Sequence, residues 1–175
     1  SLSDQARPAE AELAFVEAVR LDPEAAGIRC QLGWFNITQG NLQAAQAAFE
    51  AALARRPSDV SAGAGLATVY ERRGDLRGAS EALAPHLDAA PAHPRVAMCF
   101  ARVSKQLGQP EAALAVVRRA LEPALPKLQE AALRFAEGDV LDAMGEADAA
   151  FEAYRRANQA QGLRYDPGAH RELVD

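Results

Sequence analysis

Glycines recur at a fixed interval, and this period limits the fold more than any other feature of the sequence. Gly40, Gly74 and Gly108 are each 34 residues apart, and a further glycine, Gly145, follows 37 residues after the third. The same 34-residue step separates three prolines, Pro23, Pro57 and Pro91. A period of this length predicts a stacked array in which each repeat is one supersecondary unit.

Small and bulky apolar residues recur at fixed distances after each glycine. An alanine stands five residues later, at Ala45, Ala79, Ala113 and Ala150. Four places further on is a bulky residue, namely Phe15, Phe49, Leu83, Val117 or Tyr154. Three places after that comes a second alanine, except that His86 replaces it in one copy. Residues three and four apart share a helix face, so the pattern predicts a close-packed helical stripe.

The turn residues predict where the helices begin and end. Glycine enters the left-handed cap conformation without steric cost, so each phased glycine predicts a helix end. Asn41 and Asp75 follow two of these glycines and are expected to cap the next helix. The predicted helices are 8–21, then the pairs 26–39 with 42–55, 60–73 with 76–88, 94–107 with 110–122, and 127–144 with 147–161.

Three places depart from the regular pattern. Pro85 falls within a predicted helix and is expected to end or kink it near Ala84. Pro123 and Pro126 frame a three-residue insertion, which predicts a longer connector or an extra helical turn. Glu137 occupies a position where an apolar residue is expected.

Composition narrows the class of protein. Hydrophobic residues make up 49% of the 175 residues and aromatic residues only 6%, which favours an alanine-rich helical fold. The net charge of −5 argues against nucleic acid as a partner. Cys30 and Cys99 lack CxxC spacing, so neither a disulfide framework nor a zinc site is expected. No membrane span or signal peptide is visible, and a cytoplasmic location is predicted.

The pattern resembles the tetratricopeptide repeat over about residues 6–162. The Leu-Gly pair of that family stands here as Leu32-Gly33, and weakens to Leu66-Ala67 and Phe100-Ala101; its aromatic is kept at Tyr70 and its initial Trp is absent. The resemblance implies an all-α, right-handed α-α superhelix of antiparallel helix pairs. The expected single domain, 1–175, contains a half repeat 6–25, repeats 26–59, 60–93, 94–127 and 131–164, and the start of a further helix at 166–175.

The resemblance also implies a function, the binding of a peptide or partner protein on the concave wall of first helices. The groove positions carried over from the family are Cys30, Trp34, Thr68, Arg72, Met98, Arg102, Lys105, Phe135 and Asp139. Trp34 either faces the groove or packs against the neighbouring repeat. Arg72, Arg102 and Lys105 either form a basic patch for a carboxylate or are solvated surface charges. Of the positions at which some family members clamp a C-terminal carboxylate, only Arg102 is compatible, so such a clamp is disfavoured.

No catalytic motif appears in the sequence. Phosphate-binding GxxxxGK[ST], HExxH and GxSxG patterns are missing, and the histidines lack metal-ligand spacing. His86 is expected to be packed or partly exposed. We therefore expect no catalytic residue, cofactor or metal in this chain.

Two alternatives to a peptide-binding module stay open. Residues 133–167, which end in Arg164-Tyr165-Asp166-Pro167, resemble the last repeat before the catalytic domain in bacterial tetratricopeptide–sulfotransferase proteins. That resemblance implies a non-catalytic arm that positions substrates. The other alternative is a self-associating scaffold, because the first helix lacks a partner and would leave an apolar face, with Phe15 and Val19, open to another copy.

Overall fold

The computed structural model describes residues 2–22, 25–89 and 93–162. Within these ranges all regular structure is helical and no strand occurs. The nine helices found there are α1 (Leu2–Leu21), α2 (Ala26–Thr38), α3 (Leu42–Arg55), α4 (Val60–Arg72), α5 (Leu76–Ala89), α6 (Pro94–Gln106), α7 (Pro110–Ala120), α8 (Lys127–Ala143) and α9 (Ala147–Ala160). The predicted further helix at 166–175 lies outside the described residues.

Helices α2 to α9 begin and end within two residues of their predicted bounds, whereas α1 begins six residues before its predicted start. Pro8 consequently lies inside α1 instead of at its first position.

The helices stack as antiparallel pairs. α2 packs on α3, α4 on α5, α6 on α7 and α8 on α9, and each second helix also contacts the first helix of the next pair. The first helices α2, α4, α6 and α8 contact one another in order, while no contact joins successive second helices in the described part. The stack therefore curves inward on the side of the first helices, which form its concave wall.

Local turn chemistry sets the pairing. The glycine after each first helix has a φ between 71° and 80°, at Gly40, Gly74, Gly108 and Gly145, which confirms the predicted left-handed caps. In the first of these turns the Asn41 N–H donates to the Asn36 carbonyl at 2.9 Å. The Asn41 side chain caps α3 by accepting from the Ala44 N–H at 3.2 Å, and Asp75 caps α5 in the same way. Both caps agree with the prediction.

The small–bulky–small stripe forms the core contacts between neighbouring pairs. Phe49 is fully buried in α3, and its ring lies against Gly33 of α2 and Gly65 of α4. A Cβ atom added at either glycine would lie 2.5 Å or 2.3 Å from the nearest ring atom. The two glycines therefore admit the ring and set how closely α2 and α4 approach.

We expect Gly65→Ala to lower the free energy of unfolding by about 1–3 kcal/mol, because the added methyl overpacks the Phe49 ring. Gly27→Ala is the matched control. It changes an exposed glycine of α2 with no atom within 4 Å of the added Cβ, and should be neutral or stabilising by up to about 1 kcal/mol. Urea unfolding followed by circular dichroism measures both. Equal changes in the two variants would contradict this account of the interlock.

The predicted helix end near Ala84 is wrong, because α5 continues through Pro85 to Ala89; the alternative, a kink, stays a prediction. Pro85 lies on the exposed side of the helix, where the Glu81 carbonyl that loses its N–H partner can be hydrated. Leu83 and His86, on either side of it, are buried and hold the helix against its neighbours.

The expected irregularity before the last pair is present. Residues 121–126 form a longer connector, and α8 has 17 residues where α2, α4 and α6 have 13 each, which is about one additional turn. Glu137, placed by sequence at an apolar position, is 8% exposed. It accepts hydrogen bonds from Arg118 Nε of α7 and from an Arg134 guanidinium nitrogen, each at 3.1 Å. Two arginines thus offset the cost of burying this carboxylate.

His86 stands where the other pairs carry alanine, and a glycine of the facing helix makes room for it. It is 3% exposed, and a Cβ atom added at Gly63 of α4 would lie only 2.0 Å from its Nε2. Its Nδ1 has no hydrogen-bond partner among the described residues. Burial lowers the pKa of His86, and likewise that of His93.

The lowered histidine pKa values predict a loss of stability in mild acid. Histidine in the unfolded chain has a pKa of about 6.5. Below that pH the unfolded chain binds protons that the folded chain excludes, so the free energy of unfolding decreases as the pH is lowered. Above that pH the stability contribution is fully present. We expect His86→Leu to flatten this dependence between pH 7.5 and 5.5, and His93→Asn to remove part of the remainder. Urea unfolding across that range measures the slopes. A slope unchanged by His86→Leu would show that His86 is not a source of this pH dependence.

Candidate functional site

An open groove with a volume of about 560 Å³ lies on the concave wall over α2, α4 and α6. The 34-residue step places Trp34, Thr68 and Arg102 at one level of these three helices. The groove is lined by ten residues: Trp34, Ile37, Thr68, Glu71, Arg72, Arg95, Met98, Cys99, Arg102 and Gln106.

Five of the nine predicted groove residues lie together in this groove: Trp34, Thr68, Arg72, Met98 and Arg102. Two more, Lys105 and Asp139, line a small cleft of about 20 Å³ between α6 and α8, which Arg102 also borders. The wall therefore continues from the main groove towards the last pair.

The other two predicted residues face elsewhere. Cys30 is 6% exposed because it packs into the core between α2, α3 and α4, and this burial raises the pKa of its thiol. Phe135 is half-buried, and its ring packs on Tyr154 of α9 with centroids 6.3 Å apart. Neither side chain lines the groove or the cleft.

Trp34 both packs against the neighbouring repeat and faces the groove, the two alternatives left open by the sequence. Its Nε1 donates to Ser61 Oγ at 3.2 Å, and its ring meets Phe49 edge-on with centroids 5.4 Å apart. The ring also lines the groove, where the Arg95 guanidinium carbon lies 4.5 Å from its centroid. Trp34 is thus a core-anchored side chain that presents an aromatic surface to the groove.

Arg95 is the groove residue that sequence reasoning missed. It extends from α6 past α4 to a tryptophan of α2, although the backbones of α2 and α6 are not adjacent. The residues at the equivalent repeat positions are Gly27 and Ser61, which give no hint of a functional column. The available signal was its spacing of three and seven residues from Met98 and Arg102 on one helix face.

Arg102 is engaged by a carboxylate of the adjacent repeat. Its Nε lies 3.1 Å from each Glu71 carboxylate oxygen and a terminal nitrogen lies 2.9 Å from Oε2, while Gln106 donates to Oε1 at 3.2 Å. Burial acts to lower the pKa of Arg102, but its hydrogen bonds and charge interactions with Glu71 and Cys99 together outweigh this, and the pKa is raised. The predicted basic patch is therefore partly neutralised at this residue.

The electrostatic character of the wall changes along its length. Three arginines and one glutamate line the main groove, which leaves two positive charges in excess in a chain of net charge −5. Over α8 the exposed residues Asp139 and Asp142 are acidic. Tyr154 donates to Asp139 at 2.9 Å, and burial together with this carboxylate raises the pKa of Tyr154 to about 12.

We expect a coupling free energy of about 1 kcal/mol between Arg102 and Glu71, because the pair is bidentate but partly exposed. A double-mutant cycle with Arg102→Gln, Glu71→Gln and the combined variant measures it by urea unfolding. The coupling should shrink in high salt as the charges are screened. A coupling of zero at low salt would show that the pair does not help join α4 to α6.

Other kinds of site find no support among the described residues. No group of three or more His, Cys, Asp or Glu side chains there is arranged to hold a metal ion. No helix in the same part of the chain is long and apolar enough to cross a membrane.

Comparisons with known proteins agree with the repeat pattern. A family model described as tetratricopeptide repeat matches residues 36–102. A search of curated proteins found no match. The crystal structure of a thermophilic tetratricopeptide repeat protein from Thermus thermophilus is similar, with 20% identity and a TM-score of 0.76 over 98% of this chain and 92% of the other.

Two further solved structures are similar in fold. The crystal structure of MamA has 14% identity and a TM-score of 0.67 over 91% of this chain and 92% of that one. The APC/C hetero-tetramer Cut9–Hcn1 has 16% identity and a TM-score of 0.79, covering 96% of this chain but 33% of the other.

The fold is thus that of a tetratricopeptide repeat solenoid, and the family model supports the same assignment for residues 36–102. A protein-interaction scaffold is consistent with this fold. None of these findings links the chain to sulfotransferases. The role of a substrate-positioning arm therefore stays a prediction.

Proposed function

We propose that this chain is a protein-interaction module that binds an extended segment of a partner protein in the groove over α2, α4 and α6. The observation that carries the proposal is the groove itself, an open volume of about 560 Å³ on the concave wall. The net charge of −5 favours a protein over a nucleic acid as partner, and a cytoplasmic location is part of the same proposal.

The dimensions suit a short peptide segment. Packed helices lie about 8–10 Å apart, so a groove across three of them extends for about 20 Å. An extended chain rises about 3.3 Å per residue, and about six residues would cross it. Trp34 and Met98 offer apolar contact area within that length, and side chains of both kinds are common anchors at protein interfaces.

The lining side chains are already held in position. Trp34 is fixed by Ser61 and Phe49, and Arg72 donates to the Ile37 carbonyl at 3.0 Å. Binding to side chains that are ordered beforehand loses less conformational entropy. The Cut9–Hcn1 structure is a hetero-tetramer, so a similar fold takes part in a protein assembly there.

We expect Gln106→Trp to weaken peptide binding at least tenfold, because an indole at this exposed lining position fills the groove without entering the core. Gln43→Trp is the matched control, since Gln43 is exposed on α3, outside the concave wall. Seven-residue peptides are selected on the wild-type protein by display, and their affinities for all three proteins are measured by fluorescence anisotropy.

Selected peptides that bind Gln106→Trp as tightly as the wild type would place their site elsewhere and refute the groove proposal. Loss of binding in both variants would indicate a general disturbance by the added indole, and the groove would again lack support.

A second candidate function is self-association through α1. Leu13, Val16 and Leu21 of this helix are 69%, 51% and 71% exposed. The face predicted to be open is instead partly covered, because Phe15 packs on Phe35 of α2 with ring centroids 5.7 Å apart. Exposed apolar side chains on one helix are suited to contact with another copy.

If α1 mediates self-association, Leu13→Glu combined with Val16→Glu should convert oligomers into monomers, because the interface would bury unpaired charges. Leu128→Glu, at an exposed apolar position at the start of α8, is the control. Light scattering over a range of protein concentrations measures the mass. A wild-type protein that stays monomeric at the highest concentration would exclude this function.

A further inference from the structure

We infer that the bound segment carries an acidic side chain, and that Arg95, stacked on Trp34, is the residue that receives it. This inference rests on the proposed groove function and deepens it by naming the chemistry of the partner and the position of its carboxylate. The seat is formed by Trp34, Arg95 and Met98.

The existing contacts of the three groove arginines identify Arg95 as the one that receives the carboxylate. Arg102 is engaged by both carboxylate oxygens of Glu71. Arg72 donates to a backbone carbonyl at the end of α2. Arg95 contacts the indole ring, and among the described residues no carboxylate lies within ion-pair distance of it. After Glu71 neutralises Arg102, positive charge remains on Arg72 and Arg95, and only Arg95 of these two has no hydrogen-bond acceptor for its guanidinium among the described residues.

Stacking prepares this guanidinium for a carboxylate. A planar guanidinium over an aromatic ring uses one face for the ring and keeps its in-plane N–H donors available for a bidentate acceptor. The ring below it is itself fixed by Ser61 and Phe49. Arg95 is exposed to solvent, but the stack limits its rotamers, so less entropy is lost when a carboxylate binds.

Met98, the apolar member of the seat, indicates what accompanies the acidic residue. It is half-buried on α6 and lines the same groove as Arg95. The expected ligand thus combines an aspartate or glutamate with a nearby apolar residue.

The far end of the wall disfavours the alternative placement of the acidic residue. Asp139 and Asp142 of α8 are exposed there, and a like charge from the partner would be repelled. Lys105, on the intervening part of α6, has no ion pair within the described part of the chain, but it lies at the small cleft that Asp139 shares. The acidic side chain therefore belongs over the groove between α2 and α6.

Two randomised libraries of seven-residue peptides test the inference. Both are acetylated and amidated, so no terminal carboxylate is present, and both have Leu two positions from the centre. One has Glu at the centre and the other has Gln. Retention of each library is measured on immobilised wild type, Arg95→Gln, Arg95→Lys and a control, Arg77→Gln, which changes an exposed arginine of α5. Fluorescence of Trp34, the only tryptophan of the chain, reports binding of individual enriched peptides.

We expect the wild type and Arg77→Gln to retain the Glu library about tenfold better than the Gln library, as a charge-assisted bidentate hydrogen bond implies. The ratio of Glu-library to Gln-library retention should fall to about one with Arg95→Gln. It should take an intermediate value with Arg95→Lys, which keeps the charge but loses the paired N–H donors of the guanidinium. A wild-type ratio near one, or a ratio that survives Arg95→Gln, would overturn the inference.

The same libraries on Gln106→Trp separate this inference from the proposed function. If both libraries lose retention there while the wild-type ratio is near one, groove binding stands and the acidic preference is overturned. If the Glu preference depends on Arg95 but survives Gln106→Trp, the Arg95 seat is supported and the groove-spanning segment is refuted.

Discussion

The insertion of Phe49 between Gly33 and Gly65 is the contact on which the concave wall depends. A fully buried ring with two missing Cβ atoms around it fixes the separation of α2 and α4. The same ring meets Trp34 edge-on, so the interlock also fixes the aromatic surface of the groove. Stability and the candidate binding surface are therefore joined at one side chain, and changes to Phe49 should affect both.

Much of the fold follows from local chemistry that the sequence displays directly. A glycine after each first helix needs a positive φ whatever packs around it, and Asn41 and Asp75 cap their helices through contacts three residues away. The errors arose where tertiary packing outweighs local preference. Pro85 does not break α5, because burial of Leu83 and His86 on its other side holds the helix.

The sequence predicts the height of each candidate site residue along its helix, but not whether its side chain points into the groove. The 34-residue step predicts that Trp34, Thr68 and Arg102 lie at one height of the stacked repeats, and all three line the groove. Whether a side chain reaches the groove depends on the size of its neighbours. Cys30 is enclosed between α2, α3 and α4, whereas Arg95 is long enough to pass α4 and reach the tryptophan of α2.

The charge pattern shows how a repeated scaffold acquires a particular preference. Equivalent positions of α2, α4 and α6 carry an aromatic residue, a hydroxyl residue and a cation, namely Trp34, Thr68 and Arg102. The wall therefore repeats in shape but not in chemistry. Contacts between repeats then decide which charges face a partner. Because Glu71 engages Arg102 across the α4–α6 contact, one arginine serves to join repeats, and Arg95, which sequence equivalence overlooks, becomes an exposed cation of the groove. A specificity change in such a wall should therefore come from altering the pairing between repeats as readily as from altering the contact residue itself.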